Sequence, residues 1–156
     1  MHRYIESGLD NIYLENGYRI HRTPYGEGIS IQNTEGLNRA IGRWLVSLPK
    51  PLTGAELRFL RLEIEATQKD LAGILGTTEQ TLRLWEKNRK KPMPGPADRL
   101  LRALYLEFTG KDESVRKMLE RLATFNETDR QIEARFRETG RGWKQRSVPA
   151  LRAHHA

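Results

Sequence analysis

The chain has 156 residues, 37% of them hydrophobic and 30% charged, and it contains no cysteine. That length suits one ordinary domain or two small ones, and the missing thiols exclude disulfides, thiolate metal sites and a cysteine nucleophile. Twenty-seven Lys and Arg against 20 Asp and Glu leave a formal net charge of +7, which favours an anionic partner.

Residues 1–32 read as β structure. Ile12-Tyr13-Leu14-Glu15 and Tyr18-Arg19-Ile20-His21 flank Asn16-Gly17, and Asn-Gly between β-rich runs predicts a type I′ hairpin. In that register Tyr13 faces Ile20 and Glu15 faces Tyr18. Pro24 to Gly28 is a further turn, and the alternation of Gly28-Ile29-Ser30-Ile31-Gln32 predicts a third strand. A sheet this short needs cover on one face. The next segment offers it: Thr34 can cap a helix to about Leu48, with Leu37, Ile41, Trp44, Leu45 and Leu48 on one stripe. The alternative is that this stripe faces a second subunit. Pro49-Lys50-Pro51 cannot continue a helix and marks a boundary.

Thr53-Gly54-Ala55-Glu56 is a capping box, so a new helix starts there and buries Leu57, Leu60 and Ile64. From Thr67 to Asn88 the chain reads as two short helices about a tight turn at Gly76. The first buries Leu71 and Leu75; the second buries Leu82 and Trp85. Gly76 suits a left-handed C-cap, and Thr77 or Thr78 offers a hydroxyl N-cap. Such a pair is the helix-turn-helix pattern, whose second helix enters the major groove of double-stranded DNA. A basic loop follows, Lys87-Asn88-Arg89-Lys90-Lys91-Pro92. Pro96 then opens a helix with Leu100, Leu101, Leu104 and Phe108 as its stripe, ended by Gly110. Asp112 can cap another helix, carrying Val115, Met118, Leu119, Leu122 and Phe125. From Thr128 onward the chain holds seven Lys or Arg against three Asp or Glu, and it reads as a short helix and then a flexible basic tail.

At Gln68, Ala72, Gly76, Thr78, Leu82 and Trp85-Glu86 the chain resembles the Cro/repressor, or XRE, family; the resemblance covers about Leu52 to about Leu106. Two positions depart from the family pattern: Thr77 stands where Val or Ile is usual, and Asn88 where Gly is common. The resemblance implies that Thr78, Glu79, Gln80, Thr81 and Arg83 read bases and that Gln68 binds phosphate. The residues themselves point the same way. On a helical wheel Glu79, Gln80, Arg83, Leu84 and Lys87 lie opposite Leu82 and Trp85. Gln pairs bidentately with adenine, Arg with guanine, and Leu84 fits a thymine methyl. Thr67 and Gln68 stand at a helix N-terminus, which attracts an anion, and Arg89, Lys90 and Lys91 should follow a phosphate backbone.

The wider layout, a β-rich unit and covering helix before a repressor-like domain, resembles the MqsA-type antitoxins and the related YgiT-like regulators, but without the cysteines that hold zinc in MqsA. That resemblance implies a dimeric autoregulator, with an antitoxin that masks a small toxin as the alternative function. Dimerisation is also expected because one short recognition helix covers few base pairs.

The expected architecture is therefore α+β: a small N-terminal three-stranded antiparallel sheet with a covering helix over 1–48, an all-α helix-turn-helix domain of about five helices over 52–126, and a basic C-terminal helix and tail over 127–156. No enzymatic activity, cofactor or metal is expected. His2, His21, His154 and His155 lack metal-ligand spacing, and Glu63 and Glu65 lie on adjacent sides of a helix. The opening residues lack a signal peptide's apolar run, and no stretch has the length of a membrane span, so a cytoplasmic protein is expected.

Overall fold

A computed structural model of the protein describes residues 1–110, Ser114 and residues 132–149. The fold is mixed α+β, with five α-helices and six strands among those residues. The elements are β1 (His2–Arg3), β2 (Ile12–Leu14), β3 (Tyr18–Thr23), β4 (Gly26–Ile31), α1 (Thr34–Ser47), α2 (Gly54–Glu63), α3 (Gln68–Leu75), α4 (Glu79–Lys87), α5 (Gly95–Thr109), β5 (Ile132–Glu138) and β6 (Trp143–Pro149). The chain divides into two compact units, residues 1–40 with 130–156, and residues 41–129. The division falls inside α1, not at the expected boundary of Pro49-Lys50-Pro51. The expected helix over 112–125 lies outside the described residues.

In the first unit the expected three-stranded sheet is replaced by two sheets, one of four strands in the order β1-β2-β5-β6 and one of two strands, β3-β4. Asn16-Gly17 does not close a hairpin. A type I′ turn needs positive φ at both central residues, and Asn16 is absent from the positive-φ residues while Gly17 has φ 78°. Instead Asn16 uses its side chain as a strand end: Oδ1 accepts from the Glu138 N–H at 2.8 Å and Nδ2 donates to the Glu138 carbonyl at 3.2 Å. β2 runs parallel to β5, with Ile12 beside Ala134 and Leu14 beside Phe136. All four are 0% exposed, whereas Ile20, the partner expected for Tyr13, is 53% exposed. Apolar burial thus selects the distant strand over the local turn.

The hairpin that does form joins β3 to β4 through Pro24-Tyr25, with Tyr18 opposite Ile31 and Thr23 opposite Gly26. The expected strands at Tyr18–His21 and from Gly28 are present, but with each other as partners. The C-terminal stretch is a second difference. Where a short helix and a free tail are expected, residues 132–138 and 143–149 are antiparallel strands. Their tight turn uses Gly140 and Gly142 at positive φ. Trp143 of β6 donates its indole N–H to the carbonyls of Gln32 and Asn33, each at 3.2 Å, and its ring lies against Gly17, where a Cβ would stand 2.6 Å from it.

In the second unit the helices begin where the capping residues place them. Thr53 accepts from the Glu56 N–H while Glu56 accepts from the Thr53 N–H, a complete capping box. Leu57 and Leu60 are fully buried, as are Leu71 and Leu82, with Ala72 at 1% exposure. Trp85, Leu75 and Ile64 are half-buried. On α5 the buried face is rotated from the expected stripe. Ala97, Asp98, Leu101, Arg102, Tyr105 and Leu106 are buried, while Leu100 and Phe108 are 44% and 42% exposed. The cause is Arg102, described below, which turns its side of the helix inward.

The start of α2 passes close to the end of α4. The Gly54 and Ala55 N–H groups donate to the carbonyls of Lys91 and Arg89, each at 3.1 Å, so the unsatisfied first-turn donors of α2 are taken by the loop after α4. A Cβ on Gly54 would collide with the Trp85 carbonyl oxygen and stand 2.6 Å from that of Asn88. These are main-chain atoms and cannot rotate away. Gly54→Ala is therefore expected to destabilise the unit by about 1–3 kcal/mol, seen as a lower urea midpoint; an unchanged midpoint would contradict this close approach.

No helix among the described residues is long and apolar enough to cross a membrane.

Candidate nucleic-acid interface

α3 and α4 follow one another through three residues, Gly76, Thr77 and Thr78, which set the geometry. Gly76 ends α3 in the left-handed conformation, φ 76° and ψ 30°, which a Cβ would strain. Thr67 caps α3 through its hydroxyl, accepting from the Asp70 N–H at 3.0 Å. Thr78 caps α4, accepting from the Thr81 N–H at 3.1 Å and donating to the Thr81 hydroxyl oxygen at 2.9 Å. Caps of this kind stabilise a short helix by about 1 kcal/mol each, which matters for helices of eight and nine residues.

α4 is anchored from behind by ionic contacts. Glu86 is 6% exposed. Its carboxylate takes a fork from Arg61 of α2, Nε at 2.6 Å and Nη2 at 3.0 Å, and a third hydrogen bond from Gln68 Nε2 at 3.0 Å. Arg61 spends Nη1 on the Ala66 carbonyl, at 3.0 Å. Three helices are therefore tied at one carboxylate. A bidentate, largely desolvated pair of this type holds geometry firmly, because removing either partner strands the other charge. Glu86 thus pairs within the domain, and its partner Arg61 is not among the residues singled out from sequence. The signal for it was available: Arg61 lies next to Leu60 and Leu57 on the buried side of α2.

The network continues outward. Gln68 Oε1 accepts from Arg83 Nε at 3.4 Å, and Arg83 Nη2 reaches Glu79 at 2.9 Å. Gln68 is half-buried, with its amide committed at both ends to α4. Beyond Arg83 the outer surface of α4 is polar and open. Glu79, Gln80, Arg83, Leu84 and Lys87 are exposed, Leu84 to 55%; Thr81 is half-buried. Arg89, Lys90 and Lys91 are exposed on the loop after α4. That loop is fixed by the two backbone bonds to α2, by Met93 N–H to the Leu52 carbonyl at 2.8 Å, and by a bridge between Thr53 and Pro92. Its cations thus project from a held backbone.

The chain matches no family model, no curated protein and no solved structure.

A second buried ion pair supports the unit from the other side. Arg102 is 1% exposed and donates to Asp98 at 2.6 Å, to the Val46 and Leu48 carbonyls at 2.9 Å each, and to the Lys50 carbonyl. Asp98 accepts in turn from the Leu52 N–H at 2.6 Å. The side chains of one α5 turn therefore fasten the whole segment from the end of α1 to the start of α2.

Proposed function

We propose that the protein is a sequence-specific, double-stranded-DNA-binding transcriptional regulator acting as a homodimeric repressor, with α3 and α4 as a helix-turn-helix. The observation that carries this reading is the outer face of α4. It sets Gln80, Arg83, Leu84 and Lys87 in the open on a capped helix whose inner side is locked through Glu86 to Arg61 and Gln68. These are residue types that read base edges in the major groove, and a recognition helix needs such a rigid mount. The matched family positions support it too: Gly76 is left-handed, Thr78 caps the helix, and Ala72 and Leu82 are buried.

The Glu79–Arg83 pair fits the same reading. Its side chains are 43% and 60% exposed, and exposed pairs at this spacing are worth only about 0.3–0.5 kcal/mol. Glu79 thus parks Arg83 on the helix surface at little cost to its release towards a guanine. Arg89, Lys90 and Lys91 supply sequence-independent phosphate contacts. A two-fold dimer then reads a palindromic operator with half-sites about 34–36 Å apart.

Gel-shift titration with the DNA upstream of the protein's own reading frame tests this. Gln80→Ala and Arg83→Ala should each cost about 1–3 kcal/mol on the specific site and relax the base preference there. Arg89→Ala should weaken all duplexes alike and lower the log–log salt slope by about 0.9. Binding no tighter than to random duplex, or specific binding untouched by both recognition-helix substitutions, would refute the assignment.

A further inference from the structure

The basic C-terminal stretch is not an arm but part of a sheet, and the pairing concentrates its charge. β5 and β6 set Arg135 directly opposite Arg146 and Arg137 directly opposite Lys144. Like charges at directly opposed positions lie about 4.5–5.5 Å apart at Cβ and destabilise the strand pair. A sequence under selection for the sheet alone would avoid two such pairs side by side. The register extends the pattern: Arg135 stands beside Tyr13 of β2, and Tyr13 beside Arg3 of β1. One row across the four strands therefore reads Arg3, Tyr13, Arg135, Arg146, over about 14 Å at the usual strand spacing.

This face is opposite the core. Ile12, Leu14, Ala134 and Phe136, which alternate with these residues, are 0% exposed and line the inner side. On the outer face Glu133 pairs with Arg135 at 3.2 Å and Glu15 with Arg146 at 3.1 Å. Arg3 donates to the Asp10 carbonyl at 3.0 Å. Arg137 and Lys144 are exposed and make no ion pair or side-chain hydrogen bond among the described residues, nor does Arg141 in the turn between the strands. The excess positive charge is thus unspent at the turn end of the hairpin, next to a row that frames an aromatic ring with guanidinium groups.

We infer that the outer face of the four-stranded sheet is a sequence-independent binding surface for single-stranded nucleic acid. Phosphates are held by Arg137, Arg141 and Lys144, and a base stacks on Tyr13. Cations arranged round an aromatic ring suit a partner with both phosphates and open base faces. An acidic peptide offers no base face, and a duplex keeps its base faces stacked inside. The inference does not depend on the recognition-helix reading.

Fluorescence anisotropy of the full chain with labelled oligothymidylate, which forms no duplex, tests it across about 50 to 200 mM salt. The unmodified protein should bind with a clear salt slope. Arg137→Ala with Lys144→Ala should weaken binding at least tenfold and lower the log–log slope by about 1.4, at roughly 0.7 per phosphate contact. Tyr13→Leu should weaken it about tenfold with the slope unchanged. Lys144→Glu separates binding from folding: it faces Arg137 with an opposite charge, so it should raise the melting temperature while reducing affinity. Gln80→Ala with Arg83→Ala should leave oligothymidylate binding intact, so either assignment can fail without the other. Absence of binding, or binding indifferent to the double substitution, overturns the proposal. So does competition by a random duplex or by polyglutamate as effective as that by oligothymidylate, and polyglutamate would then place an acidic protein on this face.

Discussion

Arg102→Ala is expected to lower the unfolding free energy by about 3–5 kcal/mol, a large share of the roughly 5–15 kcal/mol that holds a typical domain together. The guanidinium is 1% exposed. Its bonds to Asp98 and to the carbonyls of Val46, Leu48 and Lys50 satisfy groups that no water reaches easily. Pro49 and Pro51 bring no N–H groups to this segment, and the last carbonyls of α1 have no helical partner, so the segment depends on an outside donor. A cation at that helix end is also favoured by the helix dipole. Asp98→Ala should be similarly damaging, since it frees the charge on Arg102 and the Leu52 N–H together. The double substitution should cost less than the two singles combined, because each single already breaks the shared pair. Chemical denaturation of the three variants checks this. A loss below about 1 kcal/mol for Arg102→Ala, the range of an ordinary exposed contact, would mean that the segment from Val46 to Leu52 is not held in this way.

Glu86→Ala should have the second largest effect, and it bears on the interface as well as on stability. It leaves Arg61, whose side chain is 11% exposed, without its counter-charge, at an expected cost of about 3–5 kcal/mol. It also frees the Gln68 amide from one of its two partners, and with it the chain of contacts that reaches Arg83. Under the proposed function, conditions that keep the variant folded, such as an added stabilising osmolyte, should therefore still show weakened specific DNA binding, although Glu86 lies on the inner side of α4. Glu86→Gln preserves the shape and should lose less of both. The decisive comparison is denaturation alongside gel shift on the same variants. If Glu86→Ala melts like the unmodified chain, the carboxylate does not bind the three helices together.

How far the residues themselves disclosed this protein depends on the range over which each decision is made. The capping box at Thr53–Glu56, the cap at Thr78 and the left-handed Gly76 were legible, because each is a choice made within one turn of chain. The exposed surface of α4 was legible for the same reason, since burying Leu82 fixes which residues point away. The pairing of Asn16-Gly17 was not. A local hairpin competed there with burial of Ile12 and Leu14 beside Phe136, more than a hundred residues along, and only the folded chain brings that strand near. The basic C-terminal stretch was misread on the same grounds, as its strands find partners only in β2 and in each other.

Charged residues divide in the same way. Nothing local to Glu86 names its partner, and the expected stripe of α5 includes the exposed Leu100 and Phe108 but not Arg102, because an arginine belongs on a buried face only when paired there. Tertiary structure supplied the partners: Arg61 for Glu86, and Asp98 with three carbonyls for Arg102. Sequence by itself determined the helix ends marked by Thr53, Gly76, Thr78 and Gly110 and which face of α4 is free, since capping chemistry and helical period act over a few residues. Only the tertiary structure decided which strands pair and which charges are internal, because apolar burial and desolvation depend on residues far apart in the chain.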